Sequence, residues 1–204
     1  MAIRQNVAME VGHLPSVVYG HKSSLWWGGI GLIAIEGTAF GLAIASYFYL
    51  RLREATWPPQ GWSPPGMLFG TINLALIVLN AWPMRAIEVE GRRLHTGTVR
   101  TLLAAWITLS AFILLLRGFE FQSLHVKWDS NAYGSIVWII FGLHTLHLLS
   151  SFAETVVITC YLSLHPLDPK HALDLEINAV YWYFIVVSWA IIYCVVYLGP
   201  YYLK

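Results

Sequence analysis

Charge is what this sequence has least of. Asp, Glu, Lys and Arg make up 11% of its 204 residues, where a soluble domain carries about 25%. The net charge is +1, which gives no electrostatic footing for nucleic acid, and no nucleic-acid partner is expected. Cysteine is nearly absent too. Cys160 and Cys194 are the only two. They lie far apart inside apolar stretches, so they define neither a disulfide framework nor a zinc site and read as buried apolar thiols. There is no Gly-rich phosphate loop, no nucleophile elbow and no Cys-x-x-Cys pair. The chain therefore shows no catalytic constellation of its own. Met1 to Ser24 lacks the basic-then-apolar order of a cleaved signal. The first span is expected to stay and to act as its own insertion signal.

What fills the space left by charge is hydrophobicity, at 57% of residues. Apolar runs long enough to cross a hydrocarbon core of about 30 Å recur along the chain. They predict helices over 24–52, 66–86, 98–120, 132–162 and 174–200. The fold class is all-α: a polytopic membrane protein whose five transmembrane helices form one bundle, in a single membrane domain over 1–204. Trp26 and Trp27 open the first run, and Tyr47 and Tyr49 close it, as an aromatic belt would. Four prolines between Trp57 and Gly66 predict a stiff interfacial turn. In the second run Asn73 and Asn80 share a helical face and should hydrogen-bond across a helix interface. Pro83 reads as the exit of that helix, leaving Arg85, Glu88, Glu90, Arg92 and Arg93 to a loop. Arg117 reads as the end of the third run. The fourth run, Tyr133 to Leu162, is longer than the core requires and must tilt or project. With these boundaries the Lys and Arg residues divide seven to five in favour of the N-terminal side, which places the N-terminus inside and the C-terminus outside.

An ionisable group at the centre of a span is costly and needs a partner. Glu36 is the only one in the first run, some twelve residues in. The fourth run holds His144, His147 and Glu154. At about 1.5 Å per residue, Glu36 and His144 both come near the midplane, so they can meet if the first and fourth helices pack together. His147 and Glu154 are seven apart and lie nearly on one stripe. Both histidines sit on one helix and the carboxylates are too few and badly spaced for a bundle metal site, so no metal is expected. A proton relay is chemically possible, but no chain of polar residues continues it to either surface. Otherwise these groups fasten helices and a bound lipid. Glu120 and Glu176 fall near membrane ends, where a solvated interfacial carboxylate and a specific role are equally open.

The order of these features resembles subunit III of the haem–copper cytochrome c oxidases. The resemblance rests on Glu36 before Phe40, Trp57-Pro58-Pro59-Gln60-Gly61, Asn73, and Glu120 three residues after Arg117. It continues with Tyr133-Gly134-Ser135, Gly142-Leu143-His144-Thr145-Leu146-His147, and Glu176 before Tyr181-Trp182. It implies the short five-helix bacterial form, with a V-shaped cleft that holds phospholipid. The implied role is that of a non-catalytic subunit of an aerobic terminal oxidase in the bacterial cytoplasmic (inner) membrane. Such a subunit packs on subunit I, with subunit II nearby, alone or in a larger respiratory supercomplex. It supports proton uptake while haem and copper stay in the partner subunits. The family pairs its intramembrane Glu with the first His of the motif, which falls on Glu36 and His144. Where the family's last helix has His and Asp, this sequence has Tyr183 and Val186, and Glu154 has no family counterpart. Two alternatives stay open: a nitric oxide reductase accessory protein of the same family, and an independent proton channel or transporter built on Glu36, His144, His147 and Glu154.

Overall fold

The computed structural model describes residue 18 and residues 20–202. Arg4 and Lys204, which enter the charge balance, lie outside the described residues, as does most of the polar N-terminal segment. Among the described residues, five helices are long and apolar enough to cross a membrane. The first, α1, runs Ser24–Arg51. The second span is made of α2, Met67–Leu79, and α3, Ala81–Arg92. Then come α4, Thr96–Gln122, α5, Ala132–Leu164, and α6, Pro169–Tyr193. A π-turn over Cys194–Leu198 carries the last span into α7, Gly199–Tyr202. The five spans pack as one bundle, with α6 against α3, α1 and α5, and α4 against α2, α3 and α5.

Several boundaries differ from the sequence reading, each for a local reason. Pro83 does not end its helix. It is the third residue of α3, where its N–H would have no intrahelical partner anyway. Its ring crowds the carbonyl four residues back, which places the break at Asn80 and lets the helix run on to Arg92. Glu88 and Glu90 are therefore helical, not in a loop. The last helix begins at Pro169, not at 174. Asp168 is its N-cap and accepts the His171 backbone N–H at 2.8 Å, and Pro at the first position has no donor to lose. The two cysteines are exposed on their helices, not buried, because an apolar thiol is as well placed against lipid as inside the bundle.

Lipid tails are as apolar as Leu, so hydrophobicity does not choose the interior face of a helix. Polar, small and aromatic residues do. Trp106 of α4 and Trp182 of α6 meet edge to face at 4.9 Å in the bundle centre, and Trp57 of the proline-rich turn wedges between Tyr47 and Tyr133 at 5.2 and 5.0 Å. Gly134 has no room for a side chain: a Cβ there would lie 2.3 Å from the Lys127 carbonyl oxygen. Its own N–H caps onto Asn131 Oδ1 at 2.7 Å. That contact clamps the α4–α5 connection to the first turn of α5 and sets the rotation with which α5 presents its histidines.

Candidate functional site

His144 and His147 are three residues apart, so they point about 60° apart around α5 and one turn apart along it. That difference separates them completely. His144 turns toward α4 and α6 and is fully buried. Its Nε2 lies 3.1 Å from the Ile185 carbonyl oxygen, which only accepts, and its Nδ1 lies 3.2 Å from Arg117 Nη2, which only donates. Assigned from these partners, the ring is neutral, with its proton on Nε2. Its partner in the bundle is Arg117, not Glu36.

Arg117 is itself 1% exposed. The charge read as the end of the third run sits inside the bundle, because α4 continues to Gln122 and buries it. Its Nη1 lies 2.8 Å from Glu120 Oε2, a charge pairing one turn along the helix, and its guanidinium stacks over Trp189 at 3.7 Å. Glu120 is buried, not solvated. It accepts Asn73 Nδ2 at 2.8 Å and the Tyr197 hydroxyl at 2.5 Å. Gly70 makes room for that tyrosine, since a Cβ there would lie 2.4 Å from Tyr197 Cζ. About two turns beyond Asn73, at the junction of α2 and α3, Asn80 donates to Ser110 Oγ at 2.7 Å. A buried ion pair that keeps all its hydrogen bonds is tolerable in hydrocarbon, and one that loses a member is not. The chain Asn73–Glu120–Arg117–His144 thus joins three spans through one network.

His147 turns the other way, toward α1. It packs on Phe40 at 4.9 Å, and its Nε2 lies 3.4 Å from Glu36 Oε2. The pair predicted between Glu36 and His144 forms one helical turn away, with His147. The His147 Nδ1 lies 2.6 Å from the Leu143 carbonyl oxygen, so Nδ1 carries a proton. Its Nε2 is therefore the ring nitrogen left to face the carboxyl group. Around the pair, Tyr181 donates to Glu36 Oε1 at 3.4 Å, and Ser150 Oγ lies 3.3 Å from the same hydroxyl. Glu154 does not join His147. It is exposed on α5 and lines, with Glu36, Ser150 and Tyr181, a cavity of about 260 Å³ between α1, α5 and α6.

Glu176 is also buried, not solvated. It accepts the Gly20 backbone N–H at 3.1 Å, with Arg92 Nη2 3.3 Å away. Glu88 is held by Arg85 and Arg92 at 2.8 and 3.0 Å. Tyr183 reaches the same carboxylate with its hydroxyl at 3.5 Å. The residue that departs from the family pattern thus ties α6 to α3. Among the described residues no three His, Cys, Asp or Glu side chains converge as a metal site would. Three of the four imidazole nitrogens of His144 and His147 are engaged by protein groups.

The model of the family "Cytochrome c oxidase subunit III" matches residues 54–201. The chain belongs to the cytochrome c oxidase subunit III family. It is 29% identical to cytochrome c oxidase subunit 3 of Syncerus caffer over 149 residues, 69% of this chain and 54% of that one. It is 24% identical to cytochrome c oxidase subunit 3 of Lumbricus terrestris over 197 residues, 92% of this chain and 73% of that one. With the Loxodonta africana protein of the same name it shares 28% over 199 residues, 91% of this chain and 72% of that one. The chain thus spans from about half to about three quarters of the length of these relatives. The matched part of this subunit III family member holds Trp57, Asn73, Arg117, Glu120, His144, His147 and Glu176. Glu36 lies before it, on a helix that the longer pairwise matches are extensive enough to include. The sequence reading missed Arg117, Ser150 and Tyr181. Their signals were present: Arg117 precedes Glu120 by three residues, and Ser150 follows His147 by three, both on one helical face.

Proposed function

We propose that this chain is the non-catalytic subunit III of a bacterial aerobic terminal oxidase. It packs beside subunit I, with subunit II nearby, in an assembly that couples oxygen reduction to proton pumping. In this reading it has no catalytic site of its own, and haem and copper belong to the partner subunits. It stabilises subunit I, supports proton uptake and holds phospholipid. Membership of the subunit III family carries the reading. The chain lies in the cytoplasmic membrane with its N-terminus inside. Burial of Arg117 supports that orientation, because it takes one cation away from the five on the outer side and none from the seven on the inner side.

Co-purification tests the assignment. The solubilised full chain should travel with a haem–copper catalytic subunit, and its absence from every such complex refutes the reading. Recovery with a nitric oxide reductase instead would assign the accessory role of the same family. Glu36→Ala should leave initial turnover largely unchanged and speed loss of oxidase activity during turnover. A variant that abolishes initial electron transfer contradicts a supporting role.

A further inference from the structure

Glu154 has no ion-pair partner among the described residues. It is exposed on α5, ten residues before the helix ends at Leu164. A carboxylate facing hydrocarbon at such a depth is expensive unless water reaches it. Two cavities adjoin at this residue. The one of about 260 Å³ runs inward to Glu36. The other, of about 350 Å³, runs outward past Asp174 to Leu25 at the start of α1. Both share Glu154 and Ile177. Each is many times the roughly 10–15 Å³ that one water needs, and no Lys or Arg lines either.

The seam is periodic on two of its helices. α5 contributes His147, Ser150 and Glu154, and α6 contributes Asp174, Ile177 and Tyr181, each set within two turns of one face. At the inner end the separations Ser150–Tyr181, Tyr181–Glu36 and Glu36–His147 are 3.3, 3.4 and 3.4 Å. These are long direct contacts, too short to hold a water between the partners, so the inner end is an unbroken line of adjoining polar groups. Glu36 Oε2 is buried and makes no hydrogen bond. Beyond the pair the seam is shut by rings, with Phe40 5.8 Å from Phe184 and both packed on His147.

We propose that this seam is a hydrated proton-access path, open at Asp174, passing Glu154, and closed at Glu36–His147. A proton from bulk water on the Asp174 side travels along water past the two carboxylates to the pair, which holds one proton, and returns the same way. The opposite aqueous phase has no such access. The inference does not rest on the oxidase assignment: the path can fail its test while co-purification succeeds, and the reverse.

Thiol labelling of the full chain in oriented membrane vesicles tests it. In a Cys160→Ala, Cys194→Ala background, Ile177→Cys and Val180→Cys line the seam, whereas Ile35→Cys sits on α1 at a residue 72% exposed outside both cavities. A charged methanethiosulfonate added on the Asp174 side should label the two seam positions at least tenfold faster than Ile35→Cys. Equal rates, or equal labelling from the opposite side, overturn the proposal. A second measurement needs no cysteine. The carboxyl infrared band of Glu36, assigned by its loss in Glu36→Gln, should exchange in D₂O at least tenfold more slowly in Glu154→Leu. An unchanged exchange rate overturns the proposal as well.

Discussion

Replacing Arg117 by methionine removes a cation that is 1% exposed and touches three partners. Glu120, 0% exposed, then keeps only Asn73 and Tyr197, and the His144 Nδ1 lone pair faces nothing that donates. Breaking a buried ion pair by removing one member costs about 3–5 kcal/mol, and an orphaned buried acceptor about 1–3 kcal/mol. The two losses share one network, so they do not simply add. The expected loss for Arg117→Met is about 3–5 kcal/mol, two orders of magnitude or more in the folding equilibrium. Arg117→Met with Glu120→Gln should recover most of it, because the neutral amide still accepts from Tyr197 and leaves no stranded charge. Unfolding of the purified chain in mixed micelles by added SDS, followed by helical circular dichroism, gives both numbers. A single-variant loss under about 1 kcal/mol, or a double variant no better than the single, refutes the argument that a buried charge pair holds α4 to its neighbours.

Other outcomes follow from the same contacts. Gly70→Ala forces the Tyr197 ring away from Glu120 and should cost about 1–3 kcal/mol, while Gly118→Ala, where a Cβ meets nothing within 4 Å, should be neutral or better by the same unfolding assay. Gly134→Ala drives a Cβ into the Lys127 carbonyl and should lower the melting temperature more than Gly142→Ala, which also meets nothing within 4 Å. The Asp168 carboxyl is held below its ordinary value near 3.8 by the His171 backbone N–H and then by the His171 ring. Its stabilisation is therefore present above that ordinary value and is lost as pH falls through the lower folded one. Melting curves of the wild type and Asp168→Asn should converge as the pH is taken down through that range, and parallel curves would contradict the cap.

The five spans are legible in the sequence because a hydrocarbon core admits few alternatives to long apolar helices. Their ends are less so: Pro83 sits where a helix tolerates proline, and Asp168–Pro169 makes a start signal inside a stretch that reads as a polar loop. Depth along the membrane was also legible, since Glu36 does lie opposite the histidine pair. Rotation was not. Counting residues positions a group along an axis, but which of His144 and His147 faces α1 depends on how α5 is clamped at Gly134 and what α4 and α6 present to it. Arg117 was misplaced because an arginine at the end of an apolar run normally snorkels to the interface. Here Glu120, His144 and Trp189 receive it, and those partners come from three different helices.

The two histidines of one motif have different chemistry: His144 is neutral and tied to Arg117, whereas His147 faces Glu36. Solid-state nitrogen NMR of the ¹⁵N-histidine-labelled protein in bilayers reads this directly. His144 should show a protonated Nε2 and a bare Nδ1 that do not change with pH or in Glu36→Gln. His147 should show a protonated Nδ1, and its Nε2 signal should move in Glu36→Gln. A response of His144 to Glu36→Gln with none at His147 would contradict the account.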